Sequence, residues 1–413
     1  MKKLCIIAAI LAIALAAGSC GCCNDGDGYK IEDGMIVFDT PARVEGQKSV
    51  LGLAVAPIET VRVGFVGLGM RGPGAVERFT HIDGVEIKAL CDLMPERVEA
   101  SQKILARRNF PEAASYSGEE GWKELCERDD IDLVYIATPW QLHVPIAVYA
   151  MEHGKHVAVE VPAAMSIEEC WALVDTAERT QRHCMMLENC IYDLFALTTL
   201  RMAQEGVLGD LLHVEGAYIH PFDTWERWRL EFNRRRRGDL YATHGLGPAC
   251  QLLDIHRGDR LDYLVAVDTP AVGGSAAAGR QTGDPSFANG DQTSTLLRTV
   301  RGRTVSLQHN VATPRPYSRR YQVVGSEGFA EKNPAEEYAF SARRIAELFP
   351  DGAECRPNEY LPEALRRTLA ERFRHPIAAQ VGEERARRID PVREGINFRM
   401  DYRLVYCLRH GLP

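Results

Sequence analysis

Residues 64 to 72 read Gly-Phe-Val-Gly-Leu-Gly-Met-Arg-Gly, and Asp92 closes the apolar run that follows. Val61 to Val66 suits a buried strand, and Gly67, Gly69 and Gly72 then spell G-x-G-x-x-G at a strand-to-helix turn. The first glycine permits a tight turn, the second lets backbone N–H groups approach a pyrophosphate, and the third lets the helix pack on the strand. The helix N-terminus adds partial positive charge for the phosphates. Val85 to Cys91 reads as a second strand, and Asp92 lies about 20 residues beyond the last glycine. A carboxylate there suits the hydroxyls of an adenine ribose and repels a 2′-phosphate, which favours NAD over NADP. Arg71 in the same loop leaves a phosphate contact open.

From Val61 to about Glu188 strands and helices alternate, as a doubly wound parallel sheet requires. Strands are expected at Ile131 to Ala137, His156 to Glu160 and His183 to Leu187, and helices at Pro95 to Arg108, Trp122 to Glu127 and Pro145 to Glu152. Ser166 and Glu169 form a capping box for a helix to Thr180. After residue 190 the pattern changes. A helix is expected over Tyr192 to Gln204, a strand over Leu211 to Ile219, and a helix after Pro248. Alternating runs at Thr293 to Thr299 and Thr304 to His309 flank a hairpin signal at Arg301-Gly302-Arg303, with a further strand at Tyr321 to Val324. Residues 270 to 292 read as a loop. The fold class is therefore α/β, an N-terminal Rossmann sheet over 61–190 and a C-terminal α+β domain over 191–413 with an open, mostly antiparallel sheet.

The chain has 413 residues and a net charge of −8, which excludes nucleic acid as a main partner. Arg234 to Arg237 reads as a solvated loop. Lys2 and Lys3 precede an apolar run from Leu4 to Ala17, too short for a comfortable membrane span. The run ends Ala17-Gly18-Ser19-Cys20, which resembles a bacterial lipoprotein signal. Residues 1–19 are then a signal peptide, Cys20 the lipidated residue of an exported, membrane-anchored protein, and 20–60 a tether. Ordinary signal-peptidase cleavage is the alternative. The later cysteines form no C-x-x-C pair and no zinc-type cluster, so no metal site is expected.

Ligands of a doubly wound sheet lie across the carboxyl ends of its strands. Thr138-Pro139-Trp140-Gln141-Leu142-His143, Glu160-Val161-Pro162 and Glu188-Asn189 each follow a strand end and should line one groove. Over Val61 to Gly325 the chain resembles the glucose–fructose oxidoreductase and inositol dehydrogenase family. Those enzymes commonly carry Glu-Lys-Pro where this chain has Val161, and valine transfers no proton. A narrower set of motifs resembles glycoside hydrolase family 109, the NAD-dependent α-N-acetylgalactosaminidases. It comprises Gly69-Met70-Arg71-Gly72, Trp140 to His143, Glu160-Val161-Pro162, Glu188-Asn189-Cys190, Glu215 to His220, Trp228-Arg229-Leu230, Tyr241 to Pro248, Pro314 to Arg319 and Met400 to Leu404. One stretch departs from it: Asp390 to Asn397 stands where a His-Gly-Gly-like loop is expected.

The resemblance implies a redox-assisted elimination. Tightly bound NAD oxidises C3 of the sugar, a base removes the C2 proton, the aglycone leaves, water adds, and the hydride returns, so the cofactor is recycled each turnover. It implies that Met70, Arg71, Asp92, Trp140, Gln141, Leu142, His143, Glu160, Val161 and Asn189 contact NAD. It implies that Tyr218, Arg229, Tyr241, Ala242, Thr243, His244 and Tyr317 contact a terminal N-acetylgalactosamine. His244 is the candidate base, since an imidazole titrates near neutrality and a helix N-terminus favours its neutral form. Tyr241, Tyr218 and Tyr317 are further catalytic candidates. The alternatives are a sugar dehydrogenase that releases NADH, and a non-catalytic glycan-binding lipoprotein. A homo-oligomer is open, because sheets of this type often pair face to face.

Overall fold

The computed structural model describes residues 29–38, 40–43, 47–220 and 227–413, and the signal segment with Cys20 lies outside them. The chain divides into a unit ending at Gln47 and a unit from Lys48 to Pro413. In the first, β1 (Tyr29–Glu32) and β2 (Met35–Phe38) pair antiparallel across Asp33 and Gly34, both at positive φ as a two-residue hairpin turn requires. The expected tether is corrected at its other end. Val55 and Ile58 pack on the core of the second unit, and Ile58 N–H donates to Leu408 O at 3.0 Å.

The first sheet of the large unit contains β3 (Val61–Val66), β4 (Val85–Asp92), β5 (Ala114–Ser117), β6 (Leu133–Ile136), β7 (His156–Val159) and β8 (Cys184–Met186). Its order is β5-β4-β3-β6-β7-β8 and every pair is parallel. Every residue of β6 and β7 is buried, because helices cover both faces and leave no polar alternation. Hydrophobic clusters around Phe65, Phe79 and Tyr135 on one face, and Val134, Ile146 and Val157 on the other, form the two cores. The carboxyl ends of β3, β6, β7 and β8 lead into Gly67, Thr138, Glu160 and Leu187 respectively.

The second sheet contains β9 (Leu211–Ile219), β10 (Leu261–Asp268), β11 (Gln292–Thr299), β12 (Thr304–Asn310), β13 (Tyr321–Gly325), β14 (Gly328–Lys332) and β15 (Glu337–Phe340). Its order is β10-β11-β12-β9-β13-β14-β15, antiparallel except for β12 beside β9. Alternate residues of β12 are buried, and Thr304, Ser306 and Gln308 between them are half-buried. The doubly wound sheet and the open, mostly antiparallel sheet match the fold class read from the sequence.

Three local expectations are corrected. Within 270–292 a helix spans Val272–Thr282; its first N–H groups, from Val272, Gly273 and Gly274, donate to the Asp291 carboxylate at 2.9, 2.6 and 2.9 Å. That cap arrives from the far side of the loop, so no local signal marks it. The helix expected after Pro248 begins earlier, at Thr243, and runs to Leu252. Its first turn uses tight bonds such as His244 N–H to Tyr241 O at 3.2 Å, and Pro248 enters one turn later. The arginine run is solvated only in part: Arg235 and Arg237 are exposed, whereas Arg234 and Arg236 are held by backbone carbonyls. Arg234 Nε donates to Ser286 O at 2.9 Å, Arg236 Nη1 to Met165 O at 2.9 Å, and Arg237 pairs with Asp268 at 2.5 Å.

Candidate active site

The glycine turn has the shape a dinucleotide needs. Gly67 has φ +93°, and a Cβ there would sit 2.5 Å from the Ala137 carbonyl carbon; at Gly72 a Cβ would sit 2.0 Å from Gly67 O. Around Gly69 only the Arg97 guanidinium comes near, so the backbone face stays approachable. The adjoining helix, Gly72–Phe79, has proline in its first turn, where the missing N–H costs nothing. Asp92 is 6 % exposed and accepts from Leu68 N–H at 2.6 Å and Met94 N–H at 3.0 Å, with Arg97 Nη1 at 3.4 Å. A carboxylate has lone pairs beyond those bonds, so a ribose hydroxyl remains acceptable to it. These residues fit NAD.

The expected cofactor residues divide into two kinds. Met70, Gln141 and Leu142 are exposed, and Val161 is half-buried at its strand end. Others are tied to protein. His143 is fully buried, with Nδ1 2.8 Å from Pro162 O and Nε2 2.9 Å from Thr138 O, so its ring joins two strand-end loops. Arg71 Nε pairs with Glu160 at 3.0 Å and its Nη2 donates to Asn397 Oδ1 at 3.1 Å. Asn189 Nδ2 donates to the same Asn397 oxygen at 2.8 Å. Asn397 lies in the last helix, Ile396–His410, at the end of the stretch that departs from the family pattern, and its contact with this groove is not encoded in local spacing.

Opposite the groove stands a stack of rings. Tyr218 ends β9, and its ring lies 4.4 Å from Tyr241 and 5.3 Å from His244, all near parallel. Trp140 from the first sheet's loops sits 5.3 Å from Tyr241, edge to face, and closes a small cluster with Leu230 and Val311. The arrangement depends on two glycines. A Cβ on Gly216 would lie 2.5 Å from the Gly245 Cα, so only glycine lets the Thr243–Leu252 helix cross β9 closely enough to set His244 beside Tyr218. Ala242 and Thr243 are half-buried before it. The Arg229 guanidinium lies 5.9 Å over the Tyr241 ring. Trp225 and the Trp228 side chain fall outside the described residues. Tyr317 stands at the rim, 45 % exposed, with His220 at 5.4 Å.

Glu188 is the residue of this site whose partner linear spacing did not reveal. It is 1 % exposed, and its Oε1 lies 2.8 Å from His244 Nδ1. Burial pushes the imidazole below its ordinary range, which Glu188 only partly offsets. Burial would raise the Glu188 carboxyl, but His244 and the Cys190 N–H hold it below its ordinary value. The pair is therefore a neutral imidazole on a carboxylate. Nδ1–H faces Glu188, which leaves the Nε2 lone pair as a base. Cys190 Sγ lies 3.5 Å from the same Nδ1, and burial drives its thiol far up, so it stays protonated. The ligand-type atoms of Glu188, Cys190 and His244 lie within 4.8 Å of one another, a grouping hidden in the sequence because residues 190 and 244 are far apart.

Residues 192–413 match the glycosyl hydrolase 109 C-terminal domain, and residues 61–188 match the oxidoreductase family with an NAD-binding Rossmann fold. The cofactor of this groove is NAD. A glycosyl hydrolase family 109 protein of Bacteroides fragilis is 57% identical over 382 residues, covering 90% of this chain and 82% of its own length. One from Porphyromonas gingivalis is 55% identical, covering 92% of this chain and 82% of its own. Among solved structures, a levoglucosan dehydrogenase in complex with NADH superposes with a TM-score of 0.58 at 22% identity, covering 73% of this chain and 80% of that one. An aldose–aldose oxidoreductase from Caulobacter crescentus gives 0.56 at 22% identity, covering 85% and 98%. These two show the fold.

Proposed function

This chain belongs to glycosyl hydrolase family 109, and from that premise we propose that it hydrolyses terminal α-linked N-acetylgalactosaminides of glycans. The observation that carries this reading is a buried neutral imidazole, oriented by a carboxylate, among tyrosine rings that face the cofactor groove. NAD held in this groove would supply reversible hydride transfer at C3 of the sugar, with no external oxidant consumed. His244 Nε2 takes the C2 proton, made acidic by the neighbouring carbonyl. Glu188 stabilises the imidazolium that forms and keeps Nε2 pointed at the sugar. Tyr241 and Tyr218 have hydroxyls raised by burial, so they remain protonated donors for a sugar oxygen. Arg229 and Tyr317 hold the sugar's outer edge. Trp140 excludes water between the two halves.

The test is release of sugar from an aryl α-N-acetylgalactosaminide by the purified protein in heavy water, with no NAD added. The expected product carries one deuterium at C2. Release without deuterium leaves a glycosidase, with direct displacement or a C2 proton shielded from solvent exchange as the account. Accumulation of NADH in place of hydrolysis makes the protein a sugar dehydrogenase, against which Val161 speaks because it lacks the lysine ammonium. Export and anchoring through a lipid on Cys20 belong to the same proposal. Cys20→Ser should abolish incorporation of labelled palmitate and leave activity in the soluble fraction.

A further inference from the structure

Two arginines meet at the Tyr317 hydroxyl, on the rim of the sugar pocket. Arg319 Nε donates to it at 2.7 Å, and Arg393 Nη1 lies 3.5 Å away. Arg319 precedes β13, whereas Arg393 ends a single 3₁₀ turn, Pro391–Arg393, in the segment that departs from the family pattern. The Arg319 guanidinium lies 4.2 Å over the Tyr218 ring and 5.3 Å over the Tyr317 ring, and its Nη1 is buried without a hydrogen-bond partner. Among the described residues neither arginine has a carboxylate within ion-pair distance. Glu188 is engaged by His244, Glu160 by Arg71 and Asp390 by the Asn397 N–H, while the exposed Glu394, next to Arg393 in the chain, makes no ion pair with it.

Removing a guanidinium from water without a counter-ion is costly, and stacking on tyrosine faces offsets only part of that. The two guanidiniums over one hydroxyl have a surplus of N–H donors and, among the described residues, no carboxylate to receive them. Guanidinium forks match the oxygens of a sulfate or carboxylate. We propose that the sugar this pocket prefers carries an anionic substituent, seated on Arg319 and Arg393 beside Tyr317. The proposal rests on the reading of Tyr218 and Tyr317 as sugar-facing, and it makes the two arginines specificity determinants.

The test compares 4-nitrophenyl α-N-acetylgalactosaminide, its 6-sulfate and 4-nitrophenyl α-galacturonide as substrates of the purified holoprotein. Binding of the corresponding methyl glycosides is followed by calorimetry. At least one anionic glycoside should exceed the neutral one about tenfold in kcat/KM and in affinity, the gain of a charge-assisted contact. The sulfated and carboxylated arms identify the group. Arg393→Gln, at a half-buried position, should bring the ratio close to one, and Arg319→Gln should do the same if thermal melting shows it folded. A wild-type preference for the neutral glycoside, or an anionic preference that Arg393→Gln leaves intact, overturns the proposal. Tight anionic binding without turnover of any substrate keeps the subsite and sinks the glycosidase reading. Turnover of the neutral glycoside alone does the reverse.

Discussion

His244 and Glu188 make the pH behaviour of this protein a local matter. The imidazole lies below its ordinary 6.5, and it must be neutral to act as a base. The acid limb of kcat/KM is therefore expected below pH 6.5, with activity rising as pH rises through it. Glu188→Gln removes the one neighbour that raises the imidazole most, so the limb should move to still lower pH. The same change should cost about a hundredfold in kcat, because a neutral amide neither stabilises the imidazolium nor enforces the Nδ1–H tautomer. A limb that moves upward would refute the pairing. His244→Ala should abolish turnover while the purified protein still retains NAD, as read from absorbance and mass of the extracted cofactor. Tyr241 and His244 were legible because they stand in one short motif. Glu188 was visible as a polar strand end and as part of the Glu188-Asn189-Cys190 motif, but its pairing with His244 was not, since that partner comes from the other sheet's helix.

At the scale of elements, two close approaches carry the site. Gly67→Ala forces a Cβ into the Ala137 backbone at a left-handed residue, so loss of NAD together with a lowered melting temperature is expected. Gly216→Ala acts elsewhere. It lifts the Thr243–Leu252 helix off β9, which should cost about 1–3 kcal/mol and much of kcat while NAD affinity stays near normal. Equal loss of NAD in both variants would contradict that division. Five strands of the first sheet could be read from sequence because buried parallel strands are unbroken apolar runs, whereas β5, Ala-Ser-Tyr-Ser at the sheet edge, carries no such run and was missed. Strand β9 was read to its ends, Leu211 and Ile219. β10 was missed because its residues are mostly exposed at a sheet edge, and the Val272–Thr282 helix because its cap is Asp291.

Across the whole molecule, the last helix couples the two ends of the large unit. Arg78 Nε meets Asp401 at 2.6 Å in full burial, and Asn397 joins Arg71 to Asn189. Burial pushes the Asp401 carboxyl up to about 6, with Arg78 opposing, so the pair is ionised at neutral pH. Asp401→Asn leaves Arg78 buried and uncompensated, and unfolding measurements should show a loss of about 3 kcal/mol. A change within experimental error would mean that water or another group takes over the guanidinium. Residues 61–92, met alone, determine a strand, a glycine turn and a carboxylate, and hence a dinucleotide fold, because each rests on neighbours a few positions away. Only the tertiary structure decides that Glu188 orients His244, that Asn397 ties Arg71 to Asn189, and that Arg319 and Arg393 share Tyr317. Those contacts join residues distant along the chain, and their geometry is set by sheet order and helix packing, which no local spacing encodes.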